Sequence, residues 1–116
     1  MTKVYDFDVV ILGGGPAGLS SAIYAARGNV STAIIDINTF GGQPVNYTTL
    51  ENYPGYVGCV TFTLMENFEK QANDFGVKTF PMQEILTVDL ISTPKKILTT
   101  EGNFNAKTVI LATGAT

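Results

Sequence analysis

The sequence predicts an α/β fold that begins with a strand–helix–strand unit. Residues 7–12 and 31–36 are apolar and rich in β-branched side chains, as in strands that are buried on both faces. Between them, apolar residues recur at helical spacing up to Gly28, which is placed to cap a helix. The recurring residues are Leu19, Ala22, Ile23 and Ala26. A strand, a helix and a strand within about thirty residues predict a parallel pair joined by a right-handed crossover.

The rest of the chain predicts a long loop, a second helix and a small antiparallel meander. Residues 37–60 have no steady period and contain many Gly and Pro residues, and a loop of this length in a compact domain is usually functional. Thr61 or Thr63 is placed to cap the next helix, and Gly76 is placed to end it. Short strands are predicted at residues 78–80, 84–90, 96–99, 104–106 and 108–111.

The composition excludes several classes of function. With 116 residues, 45% of them hydrophobic and 15% charged, the chain has the make-up of one globular domain. Its net charge of −3 argues against nucleic acid and anionic membrane as partners, because both require a concentrated basic patch. The sequence has no His, and Cys59 is its one cysteine. These facts exclude an internal disulfide, the usual zinc ligand sets and a Ser–His–Asp triad.

One uncharged stretch, residues 9–26, approaches the length of a membrane span. Its centre is rich in glycine, and Asp6 and Asp8 precede it where a signal peptide has Lys or Arg. We therefore interpret the stretch as a buried strand followed by a helix, and we expect a cytoplasmic protein without a membrane partner.

The strongest functional signal is the pattern Gly13-x-Gly15-x-x-Gly18 between the first strand and the first helix. Gly13 permits a tight turn, Gly15 lets the backbone approach a pyrophosphate, and Gly18 lets the helix lie close to the strand. Pro16 suits the first helical position, and the helix N-terminus offers N–H groups and partial positive charge to phosphates. Asp36, at the tip of the second strand, can accept hydrogen bonds from ribose hydroxyls. These features predict a dinucleotide site. The carboxylate argues against the 2′-phosphate of NADP and leaves NAD and FAD open.

Further motifs resemble one group of flavoenzymes. The segments at residues 13–18 and 22–27 resemble the opening of flavin-dependent disulfide reductases. Gly-Gly-Gln at residues 41–43 and Glu-Asn-Tyr-Pro-Gly at 51–55 narrow the resemblance to the low-molecular-weight thioredoxin reductases, in the pyridine nucleotide-disulfide oxidoreductase family. Weaker matches at residues 71–72, 75–76, 88–89 and 112–115 extend it over nearly the whole chain.

The resemblance implies a Rossmann-like FAD-binding domain with a βαβ parallel core, helices and a small antiparallel β-meander, in incomplete form. Residues 1–116 would be its N-terminal part. The NADPH-binding domain with its Cys-x-x-Cys pair, and a C-terminal stretch that completes the FAD site, would be absent. The resemblance places FAD in this segment and NADPH only in the whole enzyme.

The same resemblance assigns the cofactor contacts. N–H groups near residues 15–17 would hold the FAD pyrophosphate, and Asp36 would hold the adenosine ribose. No catalytic residue and no metal ligand is expected in this chain. The positions assigned to cofactor binding are Gly13, Gly14, Gly15, Pro16, Ala17, Gly18, Asp36, Gly41, Gly42, Gln43, Asn52, Ile85, Ala112, Thr113 and Gly114.

The other assigned contacts lie further along the cofactor. Residues 41–43 and Asn52 would line it towards the isoalloxazine ring, although the amides of Gln43 and Asn52 could instead serve only to tie their loops. The backbone at Ile85 would meet the adenine edge, and residues 112–114 would pass beneath the dinucleotide.

The sequence departs from the family pattern at four positions. Asp36 stands where Glu is more common, which shortens the reach to the ribose. Pro44 replaces an aliphatic residue and Tyr47 a small hydroxylated one, while Thr61 stands where Gly is common.

The resemblance implies a thioredoxin-disulfide reductase in which hydride passes from NADPH to FAD, then to a redox disulfide and to thioredoxin or a similar substrate. The isolated chain is expected to be inactive, and a homodimer is a further hypothesis. Three alternatives stay open: a non-catalytic module that binds FAD or ADP, a fragment of a related flavoprotein with another electron donor such as ferredoxin, and a fragment of an NAD-binding dehydrogenase.

Overall fold

The computed structural model of the chain describes residues 3–41, 49–57 and 59–114. Two helices and a six-stranded sheet form most of this part, and a pair of very short strands lies apart from the sheet. The elements in chain order are β1 (Lys3–Leu12), α1 (Pro16–Arg27), β2 (Thr32–Ile35), β3 (Thr49–Leu50), β4 (Cys59–Val60), α2 (Thr61–Asp74), β5 (Lys78–Phe80), β6 (Ile85–Asp89), β7 (Lys95–Thr99) and β8 (Gly102–Leu111).

The sheet has the strand order β5-β2-β1-β8-β7-β6. The first four strands pair in parallel, and β8, β7 and β6 follow as an antiparallel meander. In register, Leu12 of β1 lies beside Ile35 of β2 and Leu111 of β8. The carboxyl ends of three neighbouring parallel strands therefore lie at one level, which is the edge where open α/β sheets bind their ligands. The predicted α/β fold with a parallel core and a meander is confirmed.

Apolar side chains form two core clusters, one on each face of the parallel strands. Ile11 and Ile34 face the helices and pack with Leu19 of α1 and Ala72 of α2. The opposite face carries side chains of β1 and β2 packed against β7 and β8, with Phe104 and Ile97 completely buried. Helices thus cover one face and the meander covers the other, and this arrangement leaves the carboxyl edge free for the loops that build the site.

Two strands are several residues longer than predicted, and β7 begins one residue early, at Lys95. The strands predicted at residues 104–106 and 108–111 form one strand, β8, that passes through Lys107 without a break. Lys107 interrupts the apolar pattern because its side chain is exposed, and its Nζ lies 3.2 Å from Oδ1 of Asp8. β1 begins at Lys3 rather than at residue 7, because residues 3–7 pair with residues 102–106 of β8. Both extensions come from pairing between segments far apart in the chain.

The predicted loop at residues 37–60 contains a short antiparallel pair. Thr49 of β3 lies opposite Val60 of β4, and Leu50 lies opposite Cys59. The remainder of its described part is irregular. Pro44 and Tyr47 lie outside the described residues.

The predicted cap of α2 is wrong, whereas the predicted ends of both helices are confirmed. α2 begins at Thr61 itself, no side chain caps it, and the buried Thr61 hydroxyl has no hydrogen-bond partner among the described residues. Gly76 has a φ of 94° directly after the end of α2, and Gly28 occupies the cap position of α1. Among the described residues, neither helix is long and apolar enough to cross a membrane.

Candidate dinucleotide-binding site

The turn between β1 and α1 begins at Gly13, which has a φ of 120°. Its N–H donates a hydrogen bond to the carbonyl of Ile35 at 2.8 Å. A Cβ at this position would collide with the carbonyl oxygen of Ala112, directly after β8. Only glycine combines this backbone conformation with so close an approach. The turn is therefore held between the ends of β2 and β8.

Gly18 brings the first turn of α1 against this loop. A Cβ on Gly18 would fall on the carbonyl oxygen of Gly13, so the helix and the turn are in backbone contact. Gly18 is buried, and the neighbouring Leu19 is completely buried in the core beneath α1. The absence of a side chain at residue 18 thus sets how closely the helix start lies to the strand end.

The N-terminus of α1 has the features of an anion site. Gly15 occupies the cap position with extended backbone, and no side chain caps the helix. Pro16 is the first helical residue, and the first turn contains no acidic side chain. Since the first N–H groups of a helix have no partner within it, those at this end can donate to a phosphate, supported by the helix dipole.

Asp36 follows β2 and is half-buried beside the glycine turn. Its Oδ2 accepts a hydrogen bond from the N–H of Gly14 at 2.6 Å, and its Oδ1 accepts one from the N–H of Asn38 at 2.9 Å. A carboxylate oxygen has more than one lone pair, so each oxygen can accept a further hydrogen bond. The carboxylate predicted to bind ribose therefore already ties the glycine turn to the segment after β2.

Phe40 and Gly41 complete the contact between these two segments. The N–H of Gly41 donates to the carbonyl of Gly14 at 2.7 Å. The ring of Phe40 occupies the space that a Cβ on Gly14 would need. Gly42 and Gln43, which the resemblance places next in the site, lie outside the described residues.

Ile85 is brought towards Asp36 by the residues that precede it. The N–H of Gln83 donates to the carbonyl of Asp36 at 2.9 Å, and Ile85 begins β6 two positions later. Gln83 is buried, its Oε1 accepts from the hydroxyl of Thr99 at 2.8 Å, and its Nε2 donates to Glu101 at 2.9 Å. The segment predicted to meet adenine thus starts beside the residue predicted to meet the ribose.

The remaining predicted residues occupy two different settings. Ala112, Thr113 and Gly114 continue from β8 beside Gly13, with Ala112 half-buried and the other two exposed. Asn52 is exposed between β3 and the turn at Tyr53, and the described contacts do not connect it to the glycine turn.

Sequence reasoning overlooked Asn38, Phe40 and Gln83. Phe40 carried a usable signal, because a large apolar side chain between a strand end and a glycine pair is stabilised by burial. Gln83 carried none, because a buried amide cannot be distinguished from an exposed one by its neighbours in the sequence.

A separate open groove of about 670 Å³ lies between the two helices. It contains none of the predicted site residues, so its size does not make it the dinucleotide site. Its lining residues are Ser20, Ile23, Tyr24, Arg27, Tyr53, Leu64, Phe68, Gln71 and Phe75.

Comparison with known proteins assigns the chain to a family. Residues 7–116 match the family model described as pyridine nucleotide-disulphide oxidoreductase. The chain belongs to this family. A thioredoxin reductase from Treponema pallidum is 43% identical over 111 residues, which cover 95% of this chain and 36% of that protein. One from Peptoclostridium acidaminophilum is 44% identical over 116 residues, which cover 99% of this chain and 36% of that protein.

Solved structures of the family share the fold. A thioredoxin reductase from Gloeobacter violaceus superposes with a TM-score of 0.89 at 40% identity, covering 96% of this chain and 37% of that one. A ferredoxin-flavin thioredoxin reductase from Clostridium acetobutylicum does so with a TM-score of 0.81 at 25% identity, covering 94% and 38%. The Rossmann-like fold of FAD-binding domains is confirmed, and the chain spans about 36% of the length of its curated relatives.

Proposed function

We propose that this chain binds FAD as the N-terminal FAD-binding segment of a thioredoxin reductase-like flavoprotein. The observation that carries the proposal is the arrangement at the carboxyl edge of the sheet. There the uncapped N-terminus of α1 follows a turn formed only by glycines, and the Gly14 N–H lies 2.6 Å from the Asp36 carboxylate. Hydrogen-bond donors for the phosphates and a hydrogen-bond acceptor for the ribose hydroxyls thus lie side by side, as an adenosine diphosphate moiety requires.

The described residues fit the adenosine half of FAD. The N–H groups of Gly15 and Ala17 would donate to the pyrophosphate, while Pro16 has no N–H to offer. Asp36 would accept from the ribose, the backbone near Ile85 would meet the adenine edge, and residues 112–114 would support the dinucleotide from below. The missing side chain at Gly13 permits the close backbone approach that this support needs.

When bound, FAD supplies the redox chemistry, since its flavin ring accepts and donates hydride. The chain's own residues bind and orient the cofactor through backbone donors, one carboxylate and a closely packed glycine turn. Gly42, Gln43 and Asn52 would serve the flavin end, as the sequence resemblance implies.

In the whole protein, we infer that NADPH would reduce FAD by hydride transfer. The reduced flavin would pass two electrons to a redox disulfide, and the resulting thiols would reduce thioredoxin by thiol–disulfide exchange. This inference draws on the thioredoxin reductases that the chain matches over about 36% of their length. The chain contains one cysteine, so a second domain would have to supply the redox pair. A cytoplasmic location and a homodimer remain predictions from the sequence.

A second candidate is the same segment in a flavoprotein that takes electrons from ferredoxin. The match to a ferredoxin-flavin thioredoxin reductase favours it, because that protein shares the fold of this segment. Both candidates require FAD here and differ only in the electron donor. An NAD-binding dehydrogenase fragment would leave the matched thioredoxin reductases unexplained.

The first test is the visible absorption spectrum of the purified chain, taken before and after FAD is added and the excess removed. We expect a retained flavin spectrum, and calorimetric titration should show that FAD binds more tightly than ADP. Equal affinity for the two ligands would support the alternative of a module that recognises only the adenosine half.

The site itself is tested by Gly15→Val, because a branched side chain would stand where the pyrophosphate must lie. We expect this variant to lose FAD and ADP binding while remaining folded by circular dichroism. Ser20→Val is the matched control, since it places the same side chain at an exposed position of α1. If Gly15→Val binds FAD as tightly as the parent, the proposed location of the pyrophosphate is wrong.

A further inference from the structure

We propose that Phe40 is a positioning residue that locks the glycine turn in the shape that receives the dinucleotide. This inference rests on the proposed function and extends it to a residue that the family motifs do not include. Phe40 contacts the turn and not the ligand, so its role is exerted through Gly14.

Gly14 is held from three directions. Its N–H donates to Asp36 at 2.6 Å, and its carbonyl accepts from the N–H of Gly41 at 2.7 Å. Its third side lies against the ring of Phe40, where a Cβ on Gly14 would fall on Cδ1 of the ring. All three partners belong to the segment after β2, so this segment closes over the turn as one unit.

The bond from Gly41 fixes a donor that the site needs. Because a peptide group is planar and trans, the carbonyl of Gly14 and the N–H of Gly15 lie in one rigid plane and point in opposite directions. Holding that carbonyl against Gly41 therefore sets the direction of the Gly15 N–H, a predicted pyrophosphate donor. A donor that is already oriented loses less entropy when the ligand binds.

Phe40 anchors this closure to the core. Its side chain is only 9% exposed and packs in the cluster that joins β1 and β2 to the helices. Leu19 of α1 and Ile34 of β2 belong to the same cluster. Gly41, the next residue, is therefore seated by a side chain that is buried on the helical face of the sheet.

The contact between Phe40 and Gly14 pairs a large side chain with a residue that has none. Gly14 does not have a positive φ, so the left-handed conformation that favours glycine does not account for its presence. Glycine is needed there because the ring of Phe40 fills the space of its side chain. Enlarging residue 14 and shrinking residue 40 should therefore compensate each other.

The test is a double-mutant cycle in the full chain with Gly14→Ala, Phe40→Ala and the combination. ADP and FAD affinities are measured by calorimetry, and the unfolding of each unliganded variant is measured in urea. We expect each single variant to bind ADP about tenfold more weakly, and the combination to bind more tightly than the product of the two losses allows, since residues in contact are coupled on this scale. Unfolding should show the same non-additivity.

Two further variants separate positioning from general stability. Val77→Ala trims the same core cluster, and we expect it to lower the stability while leaving the affinity for ADP unchanged. Phe40→Leu keeps a branched apolar side chain over Gly14, and we expect it to retain most of the affinity. Phe40→Leu also replaces Phe40→Ala in the cycle if Phe40→Ala does not fold.

Additive unfolding and binding effects would overturn the interlock between the two residues. ADP binding by a folded Phe40→Ala variant as tight as that of the parent would overturn the positioning role. If the parent chain binds neither ADP nor FAD, the proposed function fails and the positioning role fails with it, whereas non-additive unfolding would still support the interlock.

Discussion

The carboxylate of Asp36 accepts hydrogen bonds from the N–H groups of Gly14 and Asn38, so it closes the glycine turn without any ligand. The same two oxygens retain lone pairs for ribose hydroxyls. Asp36 therefore has a structural role of its own, because its side chain reaches the backbone of the turn directly.

Replacing Asp36 by Ala should weaken both binding and folding. We expect a loss of about 1.5–3 kcal/mol in ADP affinity for each charge-assisted ribose hydrogen bond, and lower stability because the Gly14 and Asn38 donors lose their acceptor. Titration calorimetry and urea unfolding measure the two effects. Asp36→Asn should fall between the parent and Asp36→Ala, since it retains one acceptor oxygen. Unchanged ADP affinity in Asp36→Ala would remove Asp36 from the site.

Gly18 sets the distance between α1 and the turn, so Gly18→Ala should be destabilising by about 1–3 kcal/mol, the usual cost of overpacking. The added methyl would meet the carbonyl oxygen of Gly13, which cannot move without breaking the turn. Gly28→Ala is the control, because its nearest neighbour is the carbonyl oxygen of Ala25 at 3.3 Å. Equal unfolding midpoints in urea for the two variants would contradict this account.

Among the elements, polar side chains hold the connections at both ends of β2. After its carboxyl end, Gln83 links the start of β6 to Asp36 and to Thr99 of β7. Before its amino end, Ser31 donates hydrogen bonds through its N–H and its hydroxyl to Asp8, in the middle of β1, at 2.9 Å and 3.1 Å. Polar side chains therefore set how these strands and their loops meet.

Gln83→Leu should destabilise the protein by about 1–3 kcal/mol, because it removes the buried partner of the Thr99 hydroxyl and of Glu101. It should also weaken ADP binding, since the start of β6 is no longer anchored beside Asp36. Unfolding in urea and calorimetry report the two effects. Gln71→Leu, at an exposed position on α2, is the matched control and should change neither.

Asp8 should make stability depend on acid pH. The hydrogen bond from the Ser31 backbone, followed by the contacts with Lys107 and the Ser31 hydroxyl, lowers the pKa of Asp8 below its ordinary 3.8. A pKa that is lower in the folded state stabilises the fold above the unfolded value, and this contribution is lost as the pH falls below 3.8 through the folded value.

The Asp8→Asn variant tests this assignment. We expect it to be less stable than the parent at neutral pH, and the difference should shrink as the pH falls below 3.8. Urea unfolding across this range measures the difference, and Glu66→Gln, an exposed change on α2, is the control. A gap between Asp8→Asn and the parent that does not vary with pH would show that the carboxylate has no shifted pKa.

For the whole molecule, the sheet brings three distant segments together at one edge, where the proposed site would receive the adenosine half of a dinucleotide. The glycine turn, the segment after β2 and the residues after β8 converge because their strands are neighbours and end at one level. The chain nevertheless covers about 36% of the length of its relatives, and it holds a single cysteine.

We therefore expect the isolated chain to reduce no thioredoxin with NADPH, even when FAD is supplied. Reduction of a disulfide through a cysteine pair requires two thiols, and this sequence has one. The assay follows NADPH oxidation in the presence of thioredoxin, with a full-length thioredoxin reductase as the positive control. Measurable turnover by the purified chain would overturn the assignment of the redox pair to another domain.

Local sequence patterns were sufficient for the strand–helix–strand unit, the glycine turn and the acidic residue at the second strand tip. Each depends on residues that are close in the chain or on the period of one element, so the signal survives in a single segment. Local patterns failed at β8, where Lys107 predicted a break in the strand. The strand continues through Lys107 because it is stabilised by pairing with β1.

The closure of the turn was decided only by the tertiary structure. Gly14 meets Phe40 and Asp36 across more than twenty positions of sequence, and Gln83 reaches Asp36 across the sheet end. Such contacts depend on the register and packing of strands that are far apart in the chain, so no short stretch of sequence contains both partners. Within one stretch, an amide or aromatic side chain that will be buried cannot be distinguished from an exposed loop residue. The sequence thus supplies the residues of the proposed dinucleotide site, and the packing of β1, β2 and β8 brings the glycine turn, Asp36 and residues 112–114 to one place.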